Sequence, residues 1–425
     1  MIRLLIIFLL IFSGCSLKNK PSLPENNSKK LIKKTGSNNQ IISKNFNSNL
    51  KIVLNKKSDK KEKREFKNNL GRQEVGDINY VISSFKFKKI KNFSLFEPNL
   101  IFTKDGIIFF EKKGNIIKFD YEKNIVWKIN HYTKQEKKLS PLINFGNNDE
   151  VIIVTDNLSK YYAINKLNGN LLWSKTNASQ FNSEIKVIGD KFYVIDKENI
   201  IHCFSIKSGE KIWSYKTDNF FIKSNKKLSI VFDNNKIIFN NSIGDITALD
   251  ANKGFLLWQT PTQNNQIYAD TISLSTSSLV IDNDFVLFSN NNNEFYSLDK
   301  NDGFVNWKQA INSDIKPVIS NEIVFSVSNE GLLFIIDLKN GNIIKTQDLF
   351  LSYSNKKRLL LKPTGISLGV ERIFITLNNG NLMILDLKTG NLIKSIKIDS
   401  KTISEPFIYN KKIYIIKNNS IVELS

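Results

Sequence analysis

Ala248-Leu249-Asp250-Ala251-Asn252-Lys253-Gly254-Phe255-Leu256-Leu257-Trp258 is the stretch that decides the fold, because the chain repeats it. The frame returns as Ala163-Ile164-Asn165 with Gly169 and Trp173, as Cys203-Phe204-Ser205 with Gly209 and Trp213, and as Ser297-Leu298-Asp299 with Gly303 and Trp307. Two later copies keep acid and glycine but carry lysine in place of tryptophan: Asp337, Gly341, Lys345 and Asp386, Gly390, Lys394. A shortened early copy reads Asp120, Asn124, Trp127. All five tryptophans of the protein stand at this one position. An apolar run, an acid, a short polar turn, a glycine and a second apolar run describe a β-hairpin. Glycine supplies the left-handed conformation that closes the turn, and Asp, Asn or Ser bonds to nearby backbone amides. Asn124 is expected to replace the glycine in the shortened copy, since Asn tolerates that conformation best among the other residues.

The six glycines from 169 to 390 recur on average about every 44 residues. Self-similarity at that period, with room for four strands per unit, predicts a β-propeller. One such sheet cannot bury both faces alone, so the sheets pack in a ring. Blades are predicted at Leu95–Ile129, Leu142–Asn177, Ile185–Thr217, Lys227–Thr260, Leu279–Ala310, Pro317–Leu349 and Gly365–Ile398. The end of the chain supplies only three more strands, within Pro406–Leu424, while Tyr80–Phe87 is a strand with no blade of its own. Pairing the two would complete an eighth blade and remove two open sheet edges. The expectation is an all-β, eight-bladed propeller over 78–425. An irregular repeat would reduce the count to seven.

The start reads differently. Met1-Ile2-Arg3, an apolar run Leu4–Phe12 and Ser13-Gly14-Cys15 form an export signal, with an apolar run too short to span a bilayer. The Ser-Gly-Cys end resembles a bacterial lipobox, with Phe12 where Leu is usual. The resemblance implies residues 1–15 as a lipoprotein signal peptide and Cys15 as the acylated (palmitate-bearing) first residue of the mature chain. Ser16 fits outer-membrane sorting. The alternative is an ordinary signal peptide with an incidental cysteine. Residues 16–77, rich in Lys, Asn and Ser, read as a flexible basic tether. Gln40–Leu54 has enough alternating apolar residues to dock locally. The run Lys56–Lys67 could meet anionic lipid, although a solvated linker is the simpler reading.

A net charge of +21 raises the question of nucleic acid. The cations are spread along the chain rather than gathered on a recognition element with interleaved aromatics, which argues against it. Catalytic patterns are sparse. His131 and His202 belong to no spaced ligand cluster, so no metal site is expected, and His202 reads as an exposed strand residue. No nucleophile elbow and no phosphate-cradling glycine loop occurs. Cys203, alone at an inward repeat position, leaves no disulfide within a mature chain. The recurring acids Asp250, Asp299, Asp337 and Asp386 read as turn residues on separate blades. The tryptophans read as blade-to-blade packing, and Lys345 and Lys394 predict an arc that is looser or packed by other means.

The frame Ala-x-Asp-x-x-x-Gly-x-x-x-Trp resembles the repeat of quinoprotein-like propellers. With the lipobox, the tether and one eight-bladed domain, the chain is similar to the BamB-like outer-membrane assembly lipoproteins over about 78–425 and the signal. That resemblance implies a non-catalytic, cofactor-free scaffold, lipid-anchored at the periplasmic face of the outer membrane. It would hold BamA-type POTRA domains and aid insertion of unfolded outer-membrane proteins. The family docks through a Leu-x-Leu-Arg stretch between the third and fourth blades and an Asp-x-Asp stretch between the fourth and fifth. By register these fall on Phe220-Phe221-Ile222-Lys223 and on Ser273-Leu274-Ser275. Lys223 keeps the cation without the arginine fork, and the acidic pair is lost. Two other classes remain: a quinoprotein dehydrogenase using pyrroloquinoline quinone and calcium, which the shared frame alone supports, and a lipid-anchored propeller for another cell-envelope partner.

Overall fold

The computed structural model describes residues 71–425 apart from 76–77, 79–80, 91–92, 94–98, 218–222, 225 and 263–274. The expectations placed on Cys15, on Gln40–Leu54 and on Lys56–Lys67 lie outside the described residues.

The fourth blade shows how the sequence makes one sheet. Its strands, Ile230–Asp233, Lys236–Asn240, Ile246–Asp250 and Leu256–Thr260, are joined in chain order as an antiparallel sheet. The two middle strands are covered on both faces, so Ile237, Ile238 and Phe239 are buried in succession rather than alternately. The outermost strands keep a solvent face. In Leu171–Thr176, Lys211–Lys216 and Leu392–Lys397, exposed and half-buried residues alternate.

Seven sheets of this kind are built from consecutive strands, starting at Ile101–Thr103, Ile143–Asn147, Lys186–Ile188, Ile230–Asp233, Val280–Asp282, Val318–Ser320 and Pro363–Leu368. In the eighth, Phe407–Tyr409, Lys412–Lys417 and Ser420–Leu424 are followed on the outside by Val81–Lys86. The fold is therefore an eight-bladed, all-β propeller with four antiparallel strands per blade. Inner strands of neighbouring blades lie side by side from the second blade to the seventh. The eighth meets the first where Tyr409 stacks on Phe102 at 4.7 Å and donates its hydroxyl to the Thr103 carbonyl. It meets the seventh where Ser367 donates to the Pro406 carbonyl at 2.6 Å.

Among the described residues two short α-helices interrupt the expectation of strands and turns alone. Helix α1, Lys134–Lys138, carries a Thr133–Glu136 capping box, and helix α2 is Asn355–Arg358. Both lie in connections between blades. Gly71–Val75, within the stretch expected as tether, lies against the inner strands of blades six and seven. Gly71 donates to the Ile319 carbonyl and Gln73 to that of Leu368, and Val75 is buried.

Candidate docking surface

The antiparallel order gives the disc two different faces. One carries the turns between first and second and between third and fourth strands of each blade. The other carries the loops between second and third strands and the connections from blade to blade.

On the first face stands the repeated motif. Asp250 accepts from the amides of Asn252 and Lys253 through Oδ1, at 2.9 and 2.8 Å, while Gly254 N–H returns to the Asp250 carbonyl. Gly254 has φ +74°, and an added Cβ would come within 2.7 Å of the Trp213 ring. Each tryptophan lies in this way on the glycine turn of the next blade: Trp127 on Gly169, Trp173 on Gly209, Trp213 on Gly254, Trp258 on Gly303 and Trp307 on Gly341. Each indole N–H also donates to a carbonyl of that turn, on Leu167, Ile206, Ala251, Lys300 and Leu338 respectively, at 2.7–3.1 Å. The motif thus serves twice, once as a turn that receives a ring and once as a strand that sends one. Beyond the fifth blade other groups take over. Gly390 in blade seven faces Leu333 and Gln347 of blade six. The shortened copy departs from expectation: Lys123, not Asn124, takes the positive φ, at +76°. Its turn is one residue shorter, which moves the left-handed position back by one. Asn124 instead bonds both carboxylate oxygens of Asp120, at 2.8 and 3.0 Å.

Lys223 and Ser275, the described members of the stretches singled out for docking, stand on the second face. Phe220, Phe221, Ile222 and Ser273 lie outside the described residues, whereas Lys223 and Ser275 flank them. Lys223 forms an ion pair with Glu198 in the loop between second and third strands of blade three. Asn182 holds the same connection by donating to the Ser224 and Lys226 carbonyls, at 2.9 and 3.2 Å. Ser275 exchanges bonds with Asn291: its amide donates to Asn291 Oδ1 at 2.8 Å, and its carbonyl accepts from the Asn291 amide at 3.0 Å. Its hydroxyl donates to Asp314 Oδ2 at 3.3 Å, and Lys226 pairs with the same carboxylate oxygen at 3.8 Å. Asp314, in the connection before blade six, therefore joins the two connections that the resemblance singles out. Sequence reading missed it, because its neighbours Asn312-Ser313-Asp314 look like any polar loop. The carboxylate takes a lysine from one side and a hydroxyl from the other, which fixes the flanks of both stretches to one polar junction.

The histidines offer no contrary chemistry. His202 is buried rather than exposed, because it sits in a middle strand covered on both faces. Its Nε2 lies 2.9 Å from Asp196 Oδ2, and Asp196 also accepts from the Glu198 and Ile200 amides. His131 Nε2 faces the Gly169 carbonyl at 3.2 Å, and burial pushes its pKa down. Cys203 is buried opposite Trp213, and burial pushes its thiol up to about 12. Among the described residues no three His, Cys, Asp or Glu side chains group so as to hold a metal ion.

A family model described as outer membrane protein assembly factor BamB matches residues 112–347, more than half of the chain. A sequence search of curated proteins returns no match. In structure the chain is similar to BamB from Moraxella catarrhalis, with TM-score 0.66, 16% identity, and coverage of 81% of this chain and 99% of that one. It is also similar to quinohemoprotein alcohol dehydrogenase from Comamonas testosteroni, with TM-score 0.63, 11% identity, and coverage of 83% and 78%. A europium-containing methanol dehydrogenase gives TM-score 0.64 and 11% identity, over 84% of this chain and 88% of that one. At these identities the structural likenesses speak to the fold alone, and binders and enzymes share it. By the family match this chain belongs to the BamB family of PQQ-type repeat propellers.

Proposed function

We propose that the protein is a non-catalytic scaffold of outer-membrane β-barrel assembly, which presents its loop face to BamA-type POTRA domains and helps unfolded outer-membrane proteins reach the membrane. In this reading residues 1–15 hold a lipoprotein signal that is cleaved just before its lipobox cysteine, acylated Cys15 then anchors the mature chain to the periplasmic face of the outer membrane, and the stretch up to residue 77 is the tether. Propeller residues 78–425 form the binding body. Val81–Lys86 acts as the latch that ties the two ends of the propeller into one ring. The family match carries the reading, and the junction at Asp314 supports it locally: two connections from different blades are held side by side, as a composite surface needs.

The docking contacts in this reading come from Phe220, Phe221, Ile222 and Lys223, with Ser273 and Ser275 beside them. Aromatic side chains are enriched in the core of protein interfaces, which makes the phenylalanine pair the anchor in this reading. The experiment is capture from solubilised membranes with the intact lipoprotein. Recovery of a BamA-type protein, reduced at least tenfold by Phe221→Asp with Lys223→Glu, is expected. Equal recovery by the variant would reject the assigned loops. Alcohol oxidation by the purified protein supplied with the quinone and calcium would reject the scaffold.

A further inference from the structure

The connection between blades six and seven has a composition that neither the fold nor the docking reading uses. It runs Leu351-Ser352-Tyr353-Ser354-Asn355-Lys356-Lys357-Arg358-Leu359-Leu360-Leu361-Lys362, without an acidic residue. Its base is firmly seated. Phe350 and Leu361 are buried in the core, Arg358 pairs with Asp348 at 2.5 Å, and Asn378 donates to the Leu360 carbonyl at 2.8 Å. Leu351, Leu359 and Leu360 are nevertheless 73%, 68% and 74% exposed. Three leucines held outward by an anchored loop are not the slack of a loose connection.

The same order of residues appears in the connection between blades one and two. Lys137-Lys138-Leu139 ends helix α1, and Leu139 is 64% exposed. Glu136, the acid of that helix, is already engaged by Lys160 at 3.2 Å, so the lysines dominate the local charge. Connections between blades all lie on one face of the disc, so both cation–leucine prominences point to the same side. They are three blades apart around the eighth. The connections that flank blade four, which carry the docking stretches, occupy the opposite arc.

We infer that the arc from blade six round to blade two seats on an anionic phospholipid bilayer, with Leu351, Leu359, Leu360 and Leu139 entering the acyl boundary and Lys356, Lys357 and Lys138 meeting headgroup phosphates. Lysine beside exposed leucine is the chemistry of interfacial binding. No groove shelters these leucines, so a protein partner would need a matching pocket for each prominence. A soft planar surface receives both at once. This placement does not depend on the proposed docking: it concerns different residues and a different partner.

The test places an environment-sensitive fluorophore on Leu360→Cys in the full chain, with protein lacking that substitution as the labelling background. The vesicles contain phosphatidylethanolamine and phosphatidylglycerol, with nitroxide on the acyl chains. Because the label reports on position 360 itself, anchoring elsewhere in the chain does not imitate the signal. The expected result is a blue shift with nitroxide quenching. Adding Lys356→Glu and Lys357→Glu, with unchanged circular dichroism, should reduce the quenching about tenfold or more. A label that stays accessible to aqueous iodide on vesicle-bound protein would overturn the inference. So would a label that dries without vesicles as protein concentration rises, which indicates a second copy. A label that dries only on addition of solubilised membrane proteins indicates a protein partner and overturns it equally.

Discussion

Trp258 and Gly303 let the inter-blade lock be measured as a coupling. Trp258 is 7% exposed, and its indole N–H donates to the Lys300 carbonyl at 3.1 Å. Truncation to Ala removes the ring from the seam between blades four and five and leaves that carbonyl without its donor, a loss of about 3–5 kcal/mol. Gly303 sits at φ +77°, and a Cβ there would come within 2.5 Å of Trp258 Cε3 and 2.6 Å of Thr260 Oγ1. Gly303→Ala therefore costs about 1–2 kcal/mol for the left-handed backbone and about 1–3 kcal/mol for overpacking. In the double variant the ring is absent, so most of the overpacking is relieved while the backbone strain remains. The two changes together should cost about 1–2 kcal/mol less than the sum of the separate ones. Equilibrium urea unfolding followed by circular dichroism reads all four proteins. Strict additivity would mean that the ring and the turn do not share the seam, and the packing account of the repeat would be wrong.

Three further outcomes are expected. Phe85→Ala, in the outer strand of blade eight, removes a buried ring that meets Phe119 at 5.7 Å and Tyr414 at 6.4 Å. It should cost about 3–5 kcal/mol and raise hydrogen exchange in Ser420–Leu424 first; unchanged exchange there would separate the strand from ring closure. Asp105 is held below its usual 3.8 by its bond to buried Lys118, so its contribution is complete above that value and is lost as pH falls through the lower folded value. Asp105→Asn should thus cost about 0.5–1 kcal/mol near neutrality, discounted because solvent screens the largely exposed carboxylate, and progressively less below about pH 4. A penalty that persists in acid would point to a cause other than the carboxylate. Cys203, with its thiol pushed up by burial, should react with aromatic disulfides at about pH 8 only as the protein unfolds, and fast labelling of the native chain would contradict its placement.

The propeller was legible because its signal is local. Each Asp–Gly turn closes within five residues, and each doubly covered strand leaves an unbroken apolar run, as in Ile237-Ile238-Phe239. The tryptophan at a fixed step from the glycine told of packing without telling the direction, and the structure shows each ring reaching forward to the next blade. Where the reading failed, the reason was of two kinds. His202 was taken through the alternation of a half-buried strand, yet it lies between apolar Ile201 and Cys203 in a strand with no solvent face. That flanking pair was the available clue. Asp314 and Gly71–Val75 had no clue at all. Their partners are distant in sequence, and a polar loop or a linker composition does not record what folds against it. Of the candidate surface, the sequence indicated the positions of two connections, but not the carboxylate that brings their flanks together.

The central claim is that this ring acts by presenting a face. A photo-crosslinking residue placed singly at 223 and 275 on the loop face, at 221 in the stretch before Lys223, and at 253 and 388 on the turn face, tests it in cells. The account predicts adducts to a BamA-type protein from the first three positions and none from the last two. Adducts from 253 or 388, with none from 221, 223 or 275, would contradict it.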